Sequence, residues 1–166
     1  CVKHFPGLGS VRRDTHQMQA RLDERYDRAA ELAPYRELIS GPRPPAMVMA
    51  AHVIWPEVDP GRVVSQSRAA LQGVLRDELG FEGVIATDSL DMAGADGSSA
   101  EQAATRPASD SPQVAAVRAL EAGADLLIHA ANLRDGDFDD GHPIERVARA
   151  LTAAVEAGRV LGGWGE

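Results

Sequence analysis

Three short apolar runs, each with a polar residue at or next to its end and each followed by a helix-type segment closed by glycine, constrain this chain most. The runs are Ala46–His52, Gly83–Asp88 and Asp125–Ala130. Continuous apolar runs of this length fit parallel strands covered on both faces, since an open sheet would show alternation instead. Ser67–Leu79 sets Leu71, Val74, Leu75 and Leu79 on one helical face before Gly80. Pro112–Ala122 does so with Val114, Val117, Ala119 and Leu120 before Gly123, and Pro143–Ala157 with Ile144, Val147, Leu151 and Val155 before Gly158. Glycine in those places stops a helix by adopting a left-handed conformation.

Met47, Val84 and Leu126 are spaced by 37 and 42 residues, about one βα unit each. Val2–Phe5 with a helical region over Gln17–Leu38 makes a fourth unit. Four successive units predict an α/β fold with a parallel sheet. An open doubly wound sheet and half of a (β/α)8 barrel both satisfy the pattern. Ionisable residues gathered at strand ends favour the barrel, where chemistry collects at the C-terminal face. Gly41–Pro45 reads as a rigid connector, and 93–112 as a surface insertion or a flap beside the Asp88 strand end.

The 166 residues, with a net charge of −8, offer no basic stripe for a nucleic-acid backbone. No apolar run reaches the roughly 18–20 residues of a membrane span. One cysteine, Cys1, excludes an internal disulfide framework and a Cys-rich zinc site. The opening residues carry neither a secretory signal nor an initiator Met, and they read as the end of a buried strand, so a piece of a longer polypeptide is expected.

Two constellations carry candidate chemistry. In Lys3-His4-Phe5-Pro6-Gly7-Leu8-Gly9, two cations end a strand before a glycine-flexed loop, and Asp14-Thr15-His16 follows. In an extended segment Asp14 and His16 point to one side, so the carboxylate either orients the imidazole for acid–base work or both make turn hydrogen bonds. Asp88 ends a buried strand as either a helix cap or an active-site acid, with Asp91 three residues on. His52 and His129 read as hydrogen-bonded wall histidines. His142 with Asp135, Asp137, Asp139 and Asp140 reads as a solvated loop, because no Glu closes a calcium loop. Gly7 and Gly9 lack the third glycine of a dinucleotide fingerprint. His4, Asp14 and His16 are metal-type ligands, but Lys3 beside them repels a cation, so neither a metal nor a cofactor is expected.

Taken together, these blocks resemble glycoside hydrolase family 3, in its β-N-acetylhexosaminidase branch. Lys3–Gly9 with Asp14-Thr15-His16 is similar to K-H-F-P-G-x-G followed by D-[ST]-H. Gly80–Met92 is similar to G-F-x-G-V-[IV]-x-[ST]-D-x-L-x-M. Ala51–Pro60 and Ala119–Leu127 fit the segments between and after, in the same order. The resemblance implies that Asp88 is the nucleophile of a retaining glycosidase, that Asp14 and His16 form its general acid/base dyad, and that Lys3 and His4 hold sugar hydroxyls. Lys3 is further expected to keep Asp88 ionised if the two approach closely. Leu8, where many members have a second histidine, and the variant positions Ser89 and Asp91 depart from the pattern without removing a catalytic group.

The resemblance also implies that residues 1–166 are the C-terminal half of a (β/α)8 TIM-type barrel, a partial catalytic domain beginning near the fifth strand. Such a half, without its N-terminal half-barrel as partner, is expected to be inactive as a monomer. The implied substrate is a small glycan or a muropeptide from peptidoglycan recycling; the sequence does not fix a location, the cytoplasm being only favoured. A β-glucosidase, a phosphorylase and a non-catalytic sugar-binding fragment remain alternatives.

Overall fold

The computed structural model describes residues 1–12, 15, 19–96, 111–130 and 143–160. Four strands, β1 (Val2–Phe5), β3 (Met47–Ala50), β6 (Val84–Ser89) and β7 (Leu126–Ile128), form one sheet in the order β1-β3-β6-β7. All three pairings are parallel, with Val2 opposite Val48, Ala50 opposite Thr87 and Ser89 opposite Ile128. The α/β fold with a parallel sheet therefore holds. The C-terminal ends of all four strands lie on one side, bringing Phe5, Ala50, Asp88 and Ile128 to a common rim.

The helices are α1 (Arg28–Ser40), α2 (Ala69–Glu78, wound with π-type bonds), α3 (Ser111–Ala122) and α4 (Pro143–Glu156). Gly80, Gly123 and Gly158, the expected stops, have φ of 70°, 102° and 67°. Leu71, Val74, Leu75 and Leu79 are buried as their spacing requires, against Val48, Ala50 and Ile85 of the sheet. The start of β6 is fastened by Arg76, which donates to the Phe81 and Gly83 carbonyls at 2.8 and 2.6 Å and to Asp125 at 2.7 Å. Asp125 in turn accepts from Ile85 N at 2.8 Å, joining β6 to β7.

Two expectations need correction. Over its described part the 17–38 region is not one helix. Ala20–Arg21 is a strand, β2, and α1 begins only after Asp27, whose carboxylate accepts from Ala29 N and Ala30 N. The 46–52 strand likewise stops at Ala50, and β4 (Val53–Trp55) leaves for a second sheet, β2-β4-β5, with β5 at Asp59–Val63. Long-range packing decides both. Leu22 N bonds the Ile54 carbonyl at 2.9 Å, and the Tyr26 and Trp55 rings meet edge-on with centroids 5.4 Å apart. Of the 93–112 loop, Ala93–Asp96 is a single 3-10 turn, and 97–110 lies outside the described residues.

Candidate active site

Phe5 anchors the end of β1. It is fully buried between Tyr35 and Trp55, with ring centroids at 5.4 and 6.2 Å. Beyond it the chain turns sharply, Gly7 N bonding the His4 carbonyl at 2.8 Å and Tyr26 donating its hydroxyl to the Pro6 carbonyl at 3.0 Å. Burial pushes the Tyr26 phenol well above its ordinary pKa, so it stays a donor. Gly7 needs its φ of 115°, and a Cβ there would lie 2.2 Å from the Glu31 carboxylate.

This anchoring sets the His4 ring facing Asp88, with Nε2 3.7 Å from Oδ2. Both side chains are only partly exposed, at 31% and 19%. The other Asp88 oxygen accepts from Ser89 N at 2.8 Å. One carboxylate oxygen therefore faces the rim while its partner is fixed to the backbone. Lys3 is exposed and forms no ion pair with Asp88 among the described residues. Asp14 and His16 lie outside the described residues, as do His142 and Asp135, Asp137, Asp139 and Asp140.

Behind Asp88 stands His52, fully buried. Its Nε2 lies 3.0 Å from the Ser89 carbonyl, which only accepts, so Nε2 carries the proton. Burial pushes the ring's pKa down, the nearby Asp88 charge opposing it, so the ring is neutral and Nδ1 accepts from the Ser65 hydroxyl at 2.7 Å. His52 is thus the hydrogen-bonded wall histidine expected. His129 is not, because both its ring nitrogens are buried with no hydrogen-bond partner among the described residues.

Further bonds lock the rim. Thr87 Oγ1 accepts from Ile128 N at 3.0 Å, and Ser89 Oγ accepts from Ala130 N at 2.8 Å while donating to Asp91. Asp91 is exposed and held by that serine. The turn after β6 bonds back across the rim, with Gly94 N 3.0 Å from the Thr15 carbonyl. Gln66, 2% exposed, donates to the Ala95 carbonyl. Sequence reasoning missed Glu31, Ser65, Gln66 and Gly94; the only available signal was the polar run Ser65-Gln66-Ser67 just before a helix.

An aspartate and a histidine meeting at the C-terminal rim of a parallel α/β sheet define the class of arrangement. Residues 1–160 match the glycosyl hydrolase family 3 N-terminal domain, and the chain belongs to that family. It is 41% identical over 136 residues to a beta-hexosaminidase of Tolumonas auensis, covering 81% of this chain and 36% of that protein. It is 36% identical over 162 residues to a beta-hexosaminidase of Idiomarina loihiensis, covering 92% of this chain and 44% of the relative. A glycoside hydrolase family 3 beta-N-acetylglucosaminidase from Paenibacillus superposes with a TM-score of 0.71 at 33% identity, over 96% of this chain and 27% of that one. The chain spans less than half the length of these relatives.

Proposed function

We propose that this chain carries the catalytic residues of a retaining β-N-acetylglucosaminidase acting on small glycans or muropeptides. Asp88 attacks the anomeric carbon and expels the aglycone, forming a glycosyl–Asp88 ester. His16, oriented and kept cationic by Asp14, protonates the leaving oxygen and then takes a proton from the water that cleaves the ester. His4 and Lys3 hold hydroxyls of the sugar. The observation that carries this reading is the 3.7 Å approach of His4 Nε2 to Asp88 Oδ2 at the strand rim. A sugar held by the imidazole would present its ring to that carboxylate.

The four parallel strands belong, on this proposal, to a (β/α)8 barrel, with residues 1–166 as part of its catalytic domain. Support comes from the two faces of the sheet. Val48, Ala50, Ile85 and Thr87 are fully buried, whereas on the other face Val84 and Leu126 are 38% and 41% exposed and Met47 and Met49 half-buried around the buried Ala86. Further strands alongside β1 and β7 would cover that second face, so the 166 residues by themselves are expected to be inactive as a monomer.

The test is release of 4-nitrophenol by the natural polypeptide that carries this sequence. Its β-N-acetylglucosaminide is expected to be cleaved faster than its β-glucoside, at a rate indifferent to phosphate. Preference for the glucoside, or turnover that requires phosphate, would replace this reading with the glucosidase or the phosphorylase.

A further inference from the structure

Asp88 and the Asp14-Thr15-His16 stretch are 72 residues apart in sequence, yet one backbone bond joins their surroundings. The turn Ala93–Asp96 follows β6, and within it Gly94 N donates to the Thr15 carbonyl at 3.0 Å. Thr15 is 9% exposed. The contact leaves no room for a side chain. A Cβ at Gly94 would lie 2.7 Å from the Thr15 oxygen, 3.2 Å from the His52 oxygen and 3.3 Å from the His52 Cβ.

The turn cannot retreat. Ala95 is fully buried, its N bonds the Met92 carbonyl at 2.9 Å, and its own carbonyl accepts from the buried Gln66. His52 behind it is held by Ser65 and by the Ser89 carbonyl, next to Asp88. Any added atom must therefore displace Thr15. We infer that Gly94 is a positioning residue for the acid/base stretch, acting through its contact with the Thr15 backbone. This rests on the glycosidase proposed above.

The test is Gly94→Ala in the natural polypeptide, read with two leaving groups. Phenol needs a proton to depart, whereas 2,4-dinitrophenol departs without one. The expected result is a loss of about tenfold or more in kcat/KM for the phenyl N-acetylglucosaminide, since general acid catalysis contributes about 10²–10⁴. For the dinitrophenyl substrate kcat/KM should stay within about twofold. Added azide should raise its kcat and give a glycosyl azide, because azide displaces the Asp88 carboxylate from the anomeric carbon without needing a base. Gly73→Ala is the control, as nothing lies within 4 Å of a Cβ there.

Equal losses with both leaving groups, or none, would overturn the inference. Should Gly94→Ala fail to fold, the Gly94 amide in the unmodified protein decides. Slow hydrogen exchange is expected, and exchange at the rate of free peptide would overturn the inference. An unmodified protein that turns over neither substrate defeats the glycosidase reading itself, and this inference with it.

Discussion

Replacing His52 by leucine removes a side chain that ties the segment after β3 to the backbone next to Asp88. Two hydrogen bonds go, to Ser65 Oγ at 2.7 Å and to the Ser89 carbonyl at 3.0 Å, each with a net value of about 1 kcal/mol. The Ser65 side chain, at 0% exposure, is then left without its imidazole, which costs about 1–3 kcal/mol more. His52→Leu is therefore expected to lower stability by about 3–5 kcal/mol in urea unfolding, with an unchanged m-value. Adding Ser65→Ala should return about 1 kcal/mol or more, because the orphaned hydroxyl goes with it. A loss below about 1 kcal/mol, or a Ser65→Ala effect identical in both backgrounds, would refute the reasoning.

Asp27→Ala removes the acceptor for Ala29 N and Ala30 N at 3.0 and 3.1 Å, and should cost about 1 kcal/mol, measured as a lower urea midpoint. Stability should also depend on pH through His52, whose folded pKa is depressed by burial. The unfolded ring takes up a proton below about pH 6.5 while the folded one does not, so stability is full above that value and is lost as pH falls toward the folded pKa. The urea midpoint should drop between pH 7 and 5, and that slope should flatten in His52→Leu. Tyr26 and Tyr35, both raised mainly by burial, act at the other end. Their contribution is present below about pH 10 and is lost as pH rises through their folded values, so alkaline unfolding should set in above pH 10 and weaken in Tyr26→Phe.

The parallel sheet was legible because strands such as Val84-Ile85-Ala86 are unbroken apolar runs, the pattern of parallel strands covered on both faces. Helices α2, α3 and α4 were legible from their apolar spacing and a terminal glycine, although Ile144 and Val155 of the expected α4 face are 52% and 47% exposed. The β2-β4-β5 sheet was not. Ala20-Arg21 and Asp59-Pro60-Gly61-Arg62-Val63 have no strand pattern of their own, and they form because Leu22 and Trp55 pack there. At the site, His4 and Asp88 could be read from their places at strand ends. Gly94, Gln66 and Ser65 could not, because each is defined by a partner distant in sequence: Thr15, Ala95 and His52. An uncharged residue serving a site through its backbone or one buried bond leaves no periodic trace.

The central claim is that Asp88 forms the covalent bond to the sugar. The most direct measurement is release of 4-nitrophenol from its β-N-acetylglucosaminide by the natural polypeptide and by its Asp88→Asn variant, both first shown to be folded. Turnover that falls to background in the variant is the expected result. An Asp88→Asn variant that turns over as fast as the unmodified protein would contradict it.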